Sequence, residues 1–345
     1  MKAARFYEAG QPVAIEDVPE PDPGPSQVVV SVEACGICAS DLHVLHGDMP
    51  LPVPPPLTMG HEPAGTIAAL GSDVSGWRVG DRVALMGFQG CLRCDRCVAG
   101  RFEDCRVPQI MGIHYDGAWA ERMVVPWYAL ARVPDGVQIE HAAIAADAIS
   151  TPFAALTERG ALRPGERVGL WGIGGLGTHA LQIAKLAGAS FIAAVDPLPE
   201  ARERALALGA DLALDPSEPV PDRIKEATGG IGLDLGVDLI GKAVAVTQAM
   251  HCLARGGRVV LVGQSSDRVQ AGSVLVLSYL GLSLLGHLGY AKRHLESVLQ
   301  LMASGRLDVS ASINGTYGLD DVNDGVQRLT SKQDAPVRLV VLPQE

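Results

Sequence analysis

Cysteine is scarce in this chain, seven among 345 residues. That is too few for a fold held by disulfides, which serve small extracellular scaffolds whose cores cannot stabilise them. Basic runs are missing. With 28 lysines and arginines against 39 acidic residues, a formal charge of −11, no stripe of positive charge invites nucleic acid or an anionic membrane, and neither is expected as a partner. Long uncharged segments are nearly absent too. The longest, residues 269–291, reaches spanning length, but Gln270, Ser273, Ser278, Ser283, His287 and four glycines interrupt it; it reads as buried strands joined by a turn. The opening Met1-Lys2-Ala3-Ala4-Arg5 lacks the apolar core of a signal peptide, so a cytoplasmic protein with reduced thiols is expected. No internal repeat or low-complexity segment stands out.

What is present suits a large soluble core: 48% of residues are hydrophobic, and the length predicts two or three domains. Up to about residue 148, short apolar runs such as 27–32 and 65–70 alternate with proline and glycine turns, which predicts a mostly-β domain. The texture then changes to strands alternating with helical patterns, the mark of a parallel sheet wound on both faces. Candidate strands lie at 167–173, 191–195, 212–214, 235–240, 258–262 and 282–285, with helices at 177–187, 199–208 and 244–253. A helix at 292–303 and a strand at 337–342 should rejoin the first domain. The expected division is 1–148 with 288–345, and 149–287.

Four of the seven cysteines, Cys91, Cys94, Cys97 and Cys105, sit at spacing C-x2-C-x2-C-x7-C. Short C-x2-C steps let successive sulfurs curl onto one ion and the longer loop returns the fourth, so residues 88–106 read as a structural zinc lobe. A second motif, Gly172-Ile173-Gly174-Gly175-Leu176-Gly177, is a G-x-G-x-x-G between the first predicted strand and helix of the wound domain. Gly172, Gly174, Gly175, Leu176 and Gly177 would cradle a pyrophosphate at the helix N-terminus. Asp196, 24 residues after Gly172, would bind the adenosine ribose and repel a 2′-phosphate, which points to NAD rather than NADP. Upstream, Cys38 and His61 offer a thiolate and an imidazole, two of the three protein ligands a catalytic zinc keeps.

In this order, the motifs resemble those of zinc-dependent alcohol dehydrogenases of the medium-chain dehydrogenase/reductase superfamily, over essentially the whole chain. The run C-A-S-D-L-H-V-L-H-G-D-M-P-L-P-V and the later G-H-E-P-A-G carry the likeness. It implies an α/β protein with a GroES-like catalytic domain and a Rossmann NAD-binding domain, and two zinc ions per chain, one catalytic and one structural. Cys38, His61 and Asp147 are then the catalytic zinc ligands, Asp147 standing where many members have cysteine, with Glu62 able to coordinate transiently. The implied reaction is reversible oxidation of an alcohol to a ketone or aldehyde, the alkoxide passing hydride to nicotinamide. Ser40 resembles the hydroxyl that accepts the alcohol proton, His43 the relay to solvent, and Asp41 the carboxylate that orients His61. Thr151 would lie beside the nicotinamide and Arg338 would contact the pyrophosphate. Met49, in place of a tryptophan that narrows the yeast pocket, together with Phe88 and Ile110, implies room for secondary, medium-chain or aromatic alcohols. The alternatives are a polyol, allylic, aryl or hydroxyacyl-thioester dehydrogenase, or a catalytically silent dinucleotide-binding protein. By the same resemblance the chain is a homotetramer, with a homodimer as the alternative, and the apolar residues 271–288 supply an edge for pairing.

Overall fold

The structure is a computed structural model that describes residues 1–345. The chain divides into two compact units, one of residues 1–150 with 290–345 and one of residues 151–289, two residues beyond each expected boundary. No helix is long and apolar enough to cross a membrane.

The first unit is built on one long strand, Gln27–Ile37, whose residues are mostly buried because valines and small residues dominate it. One edge pairs antiparallel with Glu62–Leu70, with Gly36 opposite Glu62. The other edge is shared. Arg122–Pro126 takes its first half, and Arg338–Leu342, from the far end of the chain, takes its second, with Leu339 opposite Ile37. In this register, Cys38 emerges one residue beyond the pairing, beside the start of Glu62–Leu70 and next to Arg338. Backbone pairing alone therefore gathers the Cys38, His61, Glu62 and Arg338 backbones at one end of a buried sheet.

The second unit is a six-stranded sheet in which every pairing is parallel. From the central Arg167–Trp171 the chain steps outward through Phe191–Val195 to Leu212–Leu214, then reverses through Leu233–Asp238 and Leu253–Leu261 to Ser283–Gly286. That reversal makes a crevice at the carboxyl ends of the central strands, where doubly wound sheets bind ligands. Gly175–Leu186 opens two residues earlier than its apolar spacing predicts. Val220–Ala227 is a helix that the sequence reading did not anticipate; Val220 and Ile224 are its only buried residues. Trp171, Val195, Leu233, Met250 and Val259 belong to one continuous core cluster.

One expectation fails here. Residues 269–291 contain no buried strand pair; they form the helix Val274–Leu280, with no buried residue, and the edge strand Ser283–Gly286. Val274, Leu275 and Tyr279 lie open to solvent. An apolar run on an exposed helix has the same composition as one that faces a core, so pattern alone could not separate them.

Asp238, at the end of a central strand, is fully buried and accepts hydrogen bonds from the Ile240 and Gly241 amides at 3.2 and 3.0 Å. Burial pushes its carboxyl up to about 6 in spite of those donors. In the unfolded chain the group ionises near pH 4. Between about pH 4 and 6 only the folded state holds the proton, so stability falls as pH rises across that interval, by about 2–3 kcal/mol. Asp238→Asn should remove this component: the change in urea midpoint on going from pH 4.5 to pH 7 should be more positive in the variant than in the parent.

Candidate metal centres and dinucleotide loop

Cys38 ends the long strand's extension and stands just before the helix Ala39–Leu45. Asp41, in the first turn of that helix, is buried and uses both carboxylate oxygens. One accepts the Cys38 amide at 2.9 Å, the other is 3.1 Å from Nδ1 of His61. With Nδ1 held by Asp41, Nε2 of His61 is left as the nitrogen on the cluster side. Burial pulls the His61 pKa down, but the Asp41 charge and hydrogen bond, helped by Cys38, outweigh it and hold it well above its ordinary value.

Asp147 arrives from a helical run in which Pro152 withholds the N–H that Ala148 would otherwise receive. The preceding turn, Ala145–Ile149, is a π-helix: the Ser150 amide reaches the Ala145 carbonyl, and the Ser150 hydroxyl donates to the same oxygen at 2.6 Å. Widened turns of this kind are rare and concentrate at functional sites. Asp147 Oδ2 lies 3.6 Å from Cys38 Sγ and 3.9 Å from His61 Nε2. Cys38, His61, Glu62 and Asp147 each bring one donor atom within 4.8 Å of the others. Tetrahedral zinc with bonds of about 2.0–2.3 Å needs ligand atoms about 3.3–3.8 Å apart, so the sulfur, nitrogen and oxygen present fit that ion.

Glu62 is completely buried and packs so closely that a Cβ on Gly36 would lie 2.2 Å from its Oε2; only glycine serves at 36. Its partner is Arg338, also buried, with Nη2 3.2 Å from Oε1 but off the hydrogen-bond line, leaving both carboxylate oxygens unsatisfied. Burial pushes Glu62 up to about 7, Arg338 opposing. Arg338, expected at a pyrophosphate, thus has its guanidinium against the carboxylate of the donor cluster. Ser40 Oγ is 3.1 Å from His61 Nε2. His43 is partly exposed, its Nδ1 3.5 Å from Asp48 Oδ2, a partner not anticipated from the sequence. Met49 is half-buried, and Phe88 and Ile110 are cross-strand neighbours in a small two-stranded sheet.

The four cysteines also converge. Cys91, Cys94, Cys97 and Cys105 form the second donor group, and Cys105 Sγ accepts the Cys91 and Val107 amides at 3.2 and 3.4 Å. The Arg106 and Cys97 amides draw the Cys94 thiol down to about 6, while burial pushes the Cys97 thiol up to about 12. A bidentate pair from Arg106 to Asp95, 2.6 and 3.0 Å, brackets the lobe. Cys35 and Cys252 are buried thiols outside both groups.

In the wound unit, Gly172 takes φ +92°, and a Cβ on Gly177 would fall 1.8 Å from the Gly172 carbonyl oxygen, so the loop and helix start need glycine at both places. Gly174 precedes the helix and Gly175 and Leu176 open it. Asp196 is buried, its oxygens accepting the Ile173 and Leu198 amides at 2.7 and 2.9 Å; each retains a lone pair for a ribose hydroxyl. Arg204, which the sequence reading passed over for want of any motif, donates to the Ile173 carbonyl at 2.6 Å from the other side. Thr151 is buried.

Comparison with known proteins agrees with both units. Residues 24–135 match the alcohol dehydrogenase GroES-like domain family and residues 175–304 the zinc-binding dehydrogenase family. An alcohol dehydrogenase of Geobacillus stearothermophilus is 34% identical over 94% of this chain and 95% of its own length. The NAD-dependent alcohol dehydrogenase of Sulfurisphaera tokodaii is 32% identical over 99% and 100%. The crystal structure of 2R,3R-butanediol dehydrogenase from Bacillus subtilis superposes with a TM-score of 0.89 at 28% identity, covering 99% of each chain. The chain belongs to the zinc-dependent alcohol dehydrogenases of the medium-chain dehydrogenase/reductase superfamily.

Proposed function

We propose that this enzyme carries out the reversible NAD-linked oxidation of secondary, medium-chain or aromatic alcohols, using Cys38, His61 and Asp147 as the ligands of its catalytic zinc. The observation that carries this reading is the convergence of a thiol, an imidazole and a carboxylate on one point, each brought there by a different segment. Zinc would acidify a bound alcohol, and nicotinamide would accept the hydride. Asp41 keeps His61 in one tautomer. Glu62 lies close enough to act as a transient ligand, and Arg338 offsets part of its charge. Ser40, beside His61 Nε2, takes the hydroxyl proton; His43, open to water, hands it to solvent.

Substrate breadth rests on Met49, whose flexible thioether fills irregular space, beside the Phe88–Ile110 pair. The likeness to a butanediol dehydrogenase, an enzyme of a secondary diol by its name, supports a pocket that takes branched carbinols. Asp196 and the glycine loop select NAD, since a carboxylate there repels a 2′-phosphate. Outward-facing Leu275 and Tyr279, next to the unpaired edge of Ser283–Gly286, suit a second copy of the chain, with a homotetramer as the full assembly. The unpaired thiols and two thiol-bearing donor groups suit the cytoplasm.

Three measurements test this. With NAD, kcat/KM for 2-butanol or benzyl alcohol should exceed that for ethanol by roughly 10-fold or more, the scale on which apolar pockets discriminate, and chelation should abolish all three activities until zinc returns. A profile peaking at ethanol would refute the wide pocket. Replacing Asp196 by serine should cut the preference for NAD over NADP by roughly 10- to 100-fold, the scale of removing one like-charge contact; an unchanged ratio would remove Asp196 from cofactor choice. Light scattering should show an oligomer that Tyr279→Glu dissociates, whereas a monomeric parent would dismiss that face as an interface.

A further inference from the structure

One buried polar group near the donor cluster has no part in the chemistry above. Tyr290 is the first residue of the segment that returns to the first unit, and only 3% of it is exposed. Its hydroxyl donates a hydrogen bond to the Ala146 carbonyl, which belongs to the peptide leading into Asp147. The same hydroxyl accepts the Gly87 amide at 3.4 Å. Gly87 in turn backs onto His61, for a Cβ placed on it would lie 3.3 Å from the His61 carbonyl. The ring meets Phe88 edge to face, centroids 6.2 Å apart at 84°.

We propose that Tyr290 is a positioning residue: its hydroxyl ties the backbone behind Asp147 to the backbone packed on His61 and so sets the separation of two metal ligands. The inference rests on the reading of Asp147 as a ligand. A π-turn carries one residue more per turn than an α-helix, and such turns are frequent at functional sites. Ala146 lies in that turn, and the phenol gives its carbonyl a donor. Tyrosine suits the task, since its hydroxyl donates and accepts at once and its ring keeps water out. Burial and the nearby Asp147 charge push its ionisation well above the ordinary value, so the donor proton stays in place.

The test uses the full-length protein and reads metal rather than turnover. Tyr290→Phe keeps the ring and removes the hydroxyl. It should raise the zinc dissociation constant of the Cys38 site, measured by chelator competition, by roughly 10- to 100-fold, the usual effect of losing a group that orients a ligand. It should also change the visible spectrum of the cobalt-substituted site. The four-cysteine zinc in the same molecule is an internal control and should be retained unchanged. Asp147→Asn serves as the reference. If it loosens the metal while Tyr290→Phe leaves affinity and spectrum untouched, the proposal is overturned and the ligand assignment stands; if Asp147→Asn itself changes neither, the ligand assignment falls and takes the proposal with it. Should Tyr290→Phe not fold, 3-fluorotyrosine at 290 keeps the ring and makes the hydroxyl a stronger donor. A shifted cobalt spectrum then supports the proposal, and an unshifted one overturns it.

Discussion

A single buried carboxylate organises the donor cluster. Asp41 holds the Cys38 amide with one oxygen and His61 Nδ1 with the other, so a turn of helix and the start of a strand are fixed to one another through one side chain. Each hydrogen bond to a charged group contributes about 1.5–3 kcal/mol in a buried setting. More important is direction. By occupying Nδ1, Asp41 leaves Nε2 for the cluster, and by holding the Cys38 amide it fixes where the thiol begins. The remaining donors are arranged around that pair.

Charge is the cost of this arrangement. Glu62 has no solvent, and Arg338 is its ion-pair partner; isolated burial of either would be prohibitive. Their 3.2 Å contact is imperfectly aligned, so the pair makes sense as part of a larger charge balance to which a divalent cation would belong. Gly36 supplies the room. The sheet register that sets Gly36 against Glu62 is the same register that delivers Cys38 and His61, and packing and site therefore constrain one another at the same residues.

The parts legible in the sequence were those whose chemistry is local. Cys91 to Cys105 lie in one short segment, so spacing alone specifies a common centre; the glycine loop and Asp196 likewise belong to one strand-helix-strand unit. Cys38, His61 and Asp147 became legible only through resemblance, because nothing in their separate surroundings links them. Tyr290 was not legible at all. Its partner Ala146 is 144 residues away, and its function depends on a π-turn that apolar periodicity does not reveal. Residues 269–291 were misread for a different reason: hydrophobicity reports that a surface wants cover, and does not say whether the cover comes from the same chain.

The strand Arg338–Leu342 gives the first unit an order of assembly. It pairs with Cys35–Ile37 on one edge of Gln27–Ile37, and it carries the arginine that faces Glu62, yet it follows the whole of residues 151–289 in the chain. The wound unit is contiguous and can fold as it emerges, whereas the first unit must keep an open sheet edge and an uncompensated carboxylate until residues 338–342 are made. Closing so long a loop adds little entropy beyond a shorter one, since the cost grows only with the logarithm of length. The delay is instead a period of exposure, in which the open edge at Cys35–Ile37 invites wrong partners. Because Arg338 lies against Glu62, the charge balance of the donor cluster is complete only once that strand has docked.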